Sequence, residues 1–95
     1  MQLPSLTSLR AFEAAARLGG FSAASRELNV THAAVAQQVR GLEAALGVTL
    51  LARAGRGMAL SPEGERLATA LTAGFESISA AIEEVKAGED GRPFA

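Results

Sequence analysis

Ninety-five residues, 48% of them apolar and many of these alanine, make one small domain with a thin core, for which dimerisation is a common remedy. The absence of cysteine excludes disulfides and thiol chemistry, and a single histidine leaves no ligand set for a structural zinc. Net charge is only −1, yet no apolar run nears the roughly 20 residues that span a bilayer and the N-terminus does not read as a secretory signal, so the expected setting is the cytoplasm with no membrane partner.

Ser5 is predicted to cap a first helix that runs to about Leu18, with Leu6, Leu9, Phe12 and Ala16 as its buried stripe. Gly19-Gly20 stops it. Ser22 is predicted to cap a short second helix through Leu28, turning Ala24 and Leu28 inward beside Phe21. Asn29-Val30 makes a turn, since asparagine accepts left-handed backbone. Thr31 caps a third helix, residues 32–46, whose Val35, Val39, Leu42 and Leu46 are spaced 4, 3 and 4 and share one face. The opposite side offers His32, Ala33, Ala36, Gln37 and Arg40, which are small or hydrogen-bonding. A helix of this kind can lie in a DNA major groove while its back rests on a core.

Gly47 ends the third helix. Residues 48–60 then hold two short apolar runs, Leu50-Leu51 and Met58-Ala59-Leu60, around a flexible basic tip at residues 53–57, which predicts a β-hairpin. Ser61-Pro62-Glu63 is a strong helix start, and the helix formers continue to about Ala87, a rod of roughly 39 Å at 1.5 Å per residue. Ala68, Phe75 and Ile82 recur every seven residues, and Leu71, Ile78 and Val85 do so offset by three. This pattern predicts a dimerisation seam facing away from the 60-residue core, with packing against that core as the plainer alternative. Six such positions on each of two helices would gross on the order of 10 kcal/mol before ordering and association costs. Residues 88–95 read as a hinge stub, as if the chain were cut from a longer protein. The predicted organisation is therefore a mainly α fold: a winged helix-turn-helix of three helices plus a small hairpin over 1–60, then a long linker helix for dimerisation over 61–87.

Charge is divided along the chain. Residues 1–60 carry six arginines against three glutamates, a balance of +3, and residues 61–95 carry three cations against seven acids, a balance of −4. A basic front on an acidic rear fits a nucleic-acid partner better than the net charge does. Catalytic constellations are missing. The lone His32 has no acid nearby in sequence, and Gly55-Arg56-Gly57 lacks the lysine and spacing of a phosphate loop. No enzyme activity, cofactor or metal is expected.

The composite of AFEAAARLGGFSAA, then LEAALG, then LSPEG is similar to the N-terminal DNA-binding domain of LysR-type transcriptional regulators. The opening LRAFEAAARLGGFSAASREL resembles the subgroup that includes glycine-cleavage activators. The likeness covers residues 3 to about 87. It implies a winged helix-turn-helix that dimerises through the long helix and binds a palindromic operator in double-stranded DNA. Tetramers are implied only for relatives that carry an effector domain, which these residues lack.

Carried over by position, the resemblance puts Thr31 at a phosphate-holding helix start and places His32 and Ala33 where relatives have base-facing glutamine and proline. Ala36 stands where many have serine, so a polar contact gives way to apolar contact with a thymine methyl. Gln37 occupies a frequent base-reading site. Arg53 and Arg56 match wing arginines, the second near the minor groove, and Leu51 stands in place of the usual phenylalanine. The residues themselves keep plainer readings open. His32 contacts a base or phosphate, or is merely solvated. Gln38 lies further round, toward the DNA backbone. Arg40 contacts phosphate or pairs with Glu43. Arg53 contacts DNA or braces the wing, and Arg56 is either a groove contact or an ordinary hairpin tip. Leu71, Phe75, Ile78, Ile82 and Val85 form the expected dimer stripe. The alternative function is a protein–protein interaction module, working through the long helix, that no longer binds DNA.

Overall fold

The computed structural model describes residues 1–89. Its elements in chain order are α1 (Leu6–Leu18), α2 (Phe21–Leu28), α3 (His32–Leu46), β1 (Leu51–Ala54), β2 (Gly57–Leu60) and α4 (Pro62–Glu89). This is the mainly helical, winged arrangement that the sequence predicts, followed by the long helix.

Local chemistry explains the boundaries. The Ser5 hydroxyl accepts from the Ser8 N–H at 3.4 Å and starts α1; Gly19, at φ +85°, closes it by donating to the Ala15 carbonyl. Asn29 takes the left-handed conformation at φ +59°, and it is the only non-glycine residue described with positive φ. One expected cap is corrected. Helix α2 begins at Phe21, with Gly20 as its N-cap and no side-chain cap bond. Ser22 is already inside the first turn, where its carbonyl accepts from the Ser25 hydroxyl at 2.7 Å.

Phe12, Val35, Val39, Leu42 and Leu50 are the largest fully buried side chains. Helix α1 is the axle of this core, because α2, α3 and α4 all pack against it. Small residues let them come close: Ala11, Ala14, Ala15 and Ala24 are all buried. Two stripe residues depart from expectation. Leu6 is 60% exposed, at an open groove that it lines together with Leu28, Val30 and Ala34. Leu46 is 42% exposed, in the last turn of α3 beyond the core.

The hairpin is antiparallel, pairing Leu51 with Leu60, Ala52 with Ala59, Arg53 with Met58 and Ala54 with Gly57. Its tip is therefore just Gly55-Arg56, and Arg53 is a strand residue rather than part of a five-residue flexible tip. Gly55 has φ +58° while Arg56 does not, the sign pattern of a tight type II′ turn. Leu50 and Leu51 are buried at the root of the wing, so leucine fills the place where a larger side chain was the family pattern.

Helix α4 is fastened where it starts. The Ser61 N–H donates to the Leu50 carbonyl at 3.0 Å. Its hydroxyl donates to the Thr49 carbonyl at 2.5 Å and accepts from the Gly64 N–H at 2.9 Å. Gly64 then lies against Leu50 so tightly that a Cβ there would sit 2.2 Å from the Leu50 carbonyl oxygen. The helix continues through Glu89, so Gly88 and Glu89 belong to it and not to a hinge; the rest of the expected hinge, residues 90–95, lies outside the described residues.

The expected dimer stripe divides. Leu71 and Phe75, with Leu67 and Ala68, pack half-buried against the chain's own core. Ile78, Ile82 and Val85 are 57%, 51% and 56% exposed. The seven-residue repeat continues through both parts, but the core under the helix ends at Phe75. No described helix is long and apolar enough to cross a membrane.

Candidate nucleic-acid interface

A concavity of about 550 Å³ opens between the start of α2, one flank of α3 and the wing. Arg26, His32, Arg40, Arg53 and Arg56 line it, and no carboxylate does. None of these four arginines forms an ion pair among the described residues. Cations placed around a concave wall with no local counter-ion make a positive field that attracts polyanions.

Helix α3 supplies the adjoining crest. Thr31 caps it by accepting from the Ala34 N–H at 3.0 Å, which leaves the hydroxyl proton free to donate. His32, Ala33, Gln37 and Arg40 are exposed along the helix, as the periodicity predicts. The His32 ring meets the edge of Phe21 in a T-shaped contact, with centroids 5.6 Å apart and planes at 79°. That contact turns the imidazole toward the concavity and links the starts of α2 and α3.

Ala36 does not stand on the open face. It is only 6% exposed and forms the wall between α3 and the wing, so little of its methyl is left to touch a base. Gln38 is also committed elsewhere. Its side-chain oxygen accepts from the Ser8 hydroxyl at 2.9 Å, which ties α3 to α1, and it lines a second groove with Leu6, Arg10 and Val30. The pairing of Arg40 with Glu43, the plainer of the two readings, is not formed among the described residues. One Glu43 oxygen instead accepts from the Leu50 N–H at 2.7 Å and the Leu51 N–H at 3.2 Å. Glu43 thus fastens the end of α3 to the root of the wing and frees Arg40.

The structure therefore brings His32, Ala36, Arg40, Arg53 and Arg56 into one surface and leaves Thr31, Ala33 and Gln37 on the adjacent crest. It sets Gln38 apart. Arg26 joins the surface although sequence reasoning counted it only toward charge. The signal lay in its position on α2, four residues beyond the Ser22 that shares the concavity wall. Glu43 was also missed in its bracing role, because a carboxylate bound to two backbone N–H groups leaves no trace in side-chain spacing.

Behind the interface, Arg17 is the counter-example. Its guanidinium grips Glu13 at 2.9 and 3.1 Å and also bonds both oxygens of Glu27. Glu27 and Glu13 hold this guanidinium protonated far above the ordinary range. Conversely, the hydrogen bonds from Arg17, against the opposing effect of burial and with help from Thr72, hold the Glu13 carboxyl below its usual range. The same guanidinium lowers Glu27. Arg17 is a neutralised structural residue, and the four concavity arginines are not.

Comparison with known proteins agrees with this geometry. Residues 6–65 match the bacterial regulatory helix-turn-helix protein, lysR family. The AhcY transcriptional activator HvrB of Rhodobacter capsulatus is 58% identical over 86 residues, 90% of this chain and 30% of the relative. The HTH-type transcriptional regulator TrpI of Pseudomonas aeruginosa is 49% identical over 97% of this chain and 31% of its own length. The chain thus spans about 30% of the length of these relatives. Among solved structures, the BenM DNA-binding domain in complex with catB site 1 DNA superposes with a TM-score of 0.82 at 25% identity, covering 93% of this chain and 98% of that one. The CbnR DNA-binding domain–DNA complex gives 0.74 at 29% identity, covering 90% and 99%. With three helices, the wing and the basic concavity in the family's order, this chain belongs to the LysR family of bacterial regulatory helix-turn-helix proteins.

Proposed function

We propose that the chain is the sequence-specific DNA-binding domain of a bacterial transcriptional regulator, acting in the cytoplasm as a dimer on a palindromic operator. Helix α3 enters the major groove with His32, Ala33 and Gln37 toward base edges. Thr31 and Arg40 reach flanking phosphates, and Arg53 and Arg56 on the wing reach the backbone or the adjacent minor groove, whose negative potential attracts guanidinium. The observation that carries this reading is the set of four arginines without ion-pair partners among the described residues, around one concavity beside an exposed, capped helix face. The DNA complexes of BenM and CbnR domains and the activator and regulator names of HvrB and TrpI support it.

In the dimer, the free part of the α4 stripe, Ile78, Ile82 and Val85, meets its counterpart on a second chain, with Leu71 and Phe75 shared between the core and the edge of that seam. Two chains then read half-sites about one helical turn, roughly 34 Å, or a multiple of it apart.

Selection from a random duplex pool, followed by titration at several salt concentrations, tests the reading. Binding is expected to weaken steeply with salt. Arg56→Ala weakens binding to most sequences and lowers the salt slope by about one, and Gln37→Ala changes which sequences are preferred. Ile78→Glu yields monomers by light scattering. A wild-type chain that ignores every duplex at low salt would overturn the DNA reading. If it remained a stable dimer in that case, the interaction-module alternative would take its place.

A further inference from the structure

Two fastenings hold α4 on the core, and they differ in kind. The first is at its start, where Gly64 lies against the Leu50 carbonyl and Ser61 closes the end of the hairpin. The second is eight residues along, about 12 Å up the helix, where the Thr72 hydroxyl donates to Glu13 Oε2 at 2.7 Å. A threonine inside a helix ordinarily returns its proton to a backbone carbonyl of the preceding turn. Here the proton goes across to α1. The acceptor is itself immobilised: Glu13 is 6% exposed and gripped by Arg17, which in turn holds Glu27 on α2. The apolar contacts of Leu67, Ala68, Leu71 and Phe75 are non-directional and allow α4 to pivot a little about its start. The short bond to a carboxylate is directional and does not.

We propose that the Glu13–Thr72 bond fixes the angle of α4 on the helix-turn-helix and thereby the spacing of the two half-sites, with Glu13 and Thr72 acting as positioning residues. The inference rests on the dimeric DNA-binding reading above. The lever is long enough to matter. Gly64 to Val85 is 21 residues, or about 32 Å of helix. A tilt of about 6° about that start displaces the seam by roughly 3.4 Å, the rise of one base pair. Symmetry applies the displacement on both sides of the dimer. A joint that tolerated such a tilt would not distinguish adjacent spacings.

The test measures affinity of the 95-residue chain for duplexes carrying its selected half-sites at spacings stepped by one base pair. Wild type is expected to lose roughly tenfold per step away from the optimum, the scale of one hydrogen bond to a charged group. Thr72→Val and Thr72→Ala flatten the profile to less than about threefold per step while affinity at the optimum changes little, and Thr72→Ser, which keeps the hydroxyl, restores the wild-type profile. A Thr72→Val profile as sharp as wild type would overturn the inference. So would an equal loss at every spacing in Thr72→Val and Thr72→Ala, because that is what a weakened fold alone produces. A monomeric wild-type chain would overturn the dimer reading first and this inference with it, whereas a wild-type dimer indifferent to spacing would overturn this inference alone; both failures are visible before any variant is made.

Discussion

The two halves of α4 carry the same seven-residue apolar repeat and meet opposite fates. In the near half, Leu67, Ala68, Leu71 and Phe75 rest on the chain's own core. In the far half, Ile78, Ile82 and Val85 are more than half exposed. An apolar stripe states that a face needs burial, and it does not state by whom. That is decided by length: the three-helix core ends under Phe75, and the helix runs on to Glu89. The near half is therefore a matter of folding, and the far half is left uncovered among the described residues, as the dimer proposed above requires.

The largest expected effect tests the near half at its root. Gly64→Ala must place a methyl 2.2 Å from the Leu50 carbonyl oxygen, a backbone atom that cannot move without opening the hairpin. We expect a loss of about 3 kcal/mol in chemical denaturation, at the upper end for overpacking. A fully stable variant would show that α4 can shift on its seat. Next, Leu71→Ala should lower stability by about 2 kcal/mol even in dilute protein, since it removes core packing. Ile78→Ala in the same dilute protein should stay within about 0.5 kcal/mol of wild type, as surface changes do. Equal losses for the two would abolish the distinction between the halves.

Acid titration sharpens the comparison from the side of the fastening. The Glu13 carboxyl is held below its ordinary 4.5 by Arg17, with Thr72 adding to the effect. A depressed carboxyl contributes stability that is complete above that ordinary value and is lost as pH falls through the folded value. Glu13→Gln should therefore be less stable than wild type near neutrality, by about 1.5 kcal/mol on the scale of charge-assisted hydrogen bonds. The gap should begin to close as pH falls below the ordinary 4.5 and vanish once pH has passed through the lowered folded value, as read in thermal melts. A gap that persists unchanged into strong acid would assign the loss to packing rather than charge.

Much of this was readable before the structure, and the reason is local. The ends of α1 and α3 follow from Ser5, Gly19, Thr31 and Gly47, each acting on its own backbone. The same holds for Asn29, whose turn geometry is intrinsic to its residue type. What could not be read depends on residues distant in sequence. Ala36 looks groove-facing by helical phase, but it is buried on the flank of α3, a helix that packs on both α1 and α2. Gln38 looks turned toward the DNA backbone until Ser8, 30 residues earlier, arrives beside it. Glu13 and Thr72 are 59 residues apart, and neither spacing nor composition joins them. Ser22 fails as a cap for a smaller reason: with Gly20 as the cap, the helix already begins two residues sooner, at Phe21.

The smallest effect has the opposite sign and uses the same residue type in the same helix. Gly74 has nothing within 4 Å of the position where its Cβ would stand, in contrast to Gly64. It lies in the helix interior and is exposed, without the positive φ that would require glycine. Its only described consequence is the freedom it gives the unfolded chain. Gly74→Ala should therefore raise stability by about 0.5–1 kcal/mol, through the entropy of the unfolded state and better helix propensity. Thermal melts of wild type and variant at matched dilution would show it as a rise of a few degrees. The argument needs open space on that face of the monomer. A fall in stability that grows with protein concentration would mean that a second chain packs its backbone against Gly74, and the seam would then begin nearer the core than Ile78.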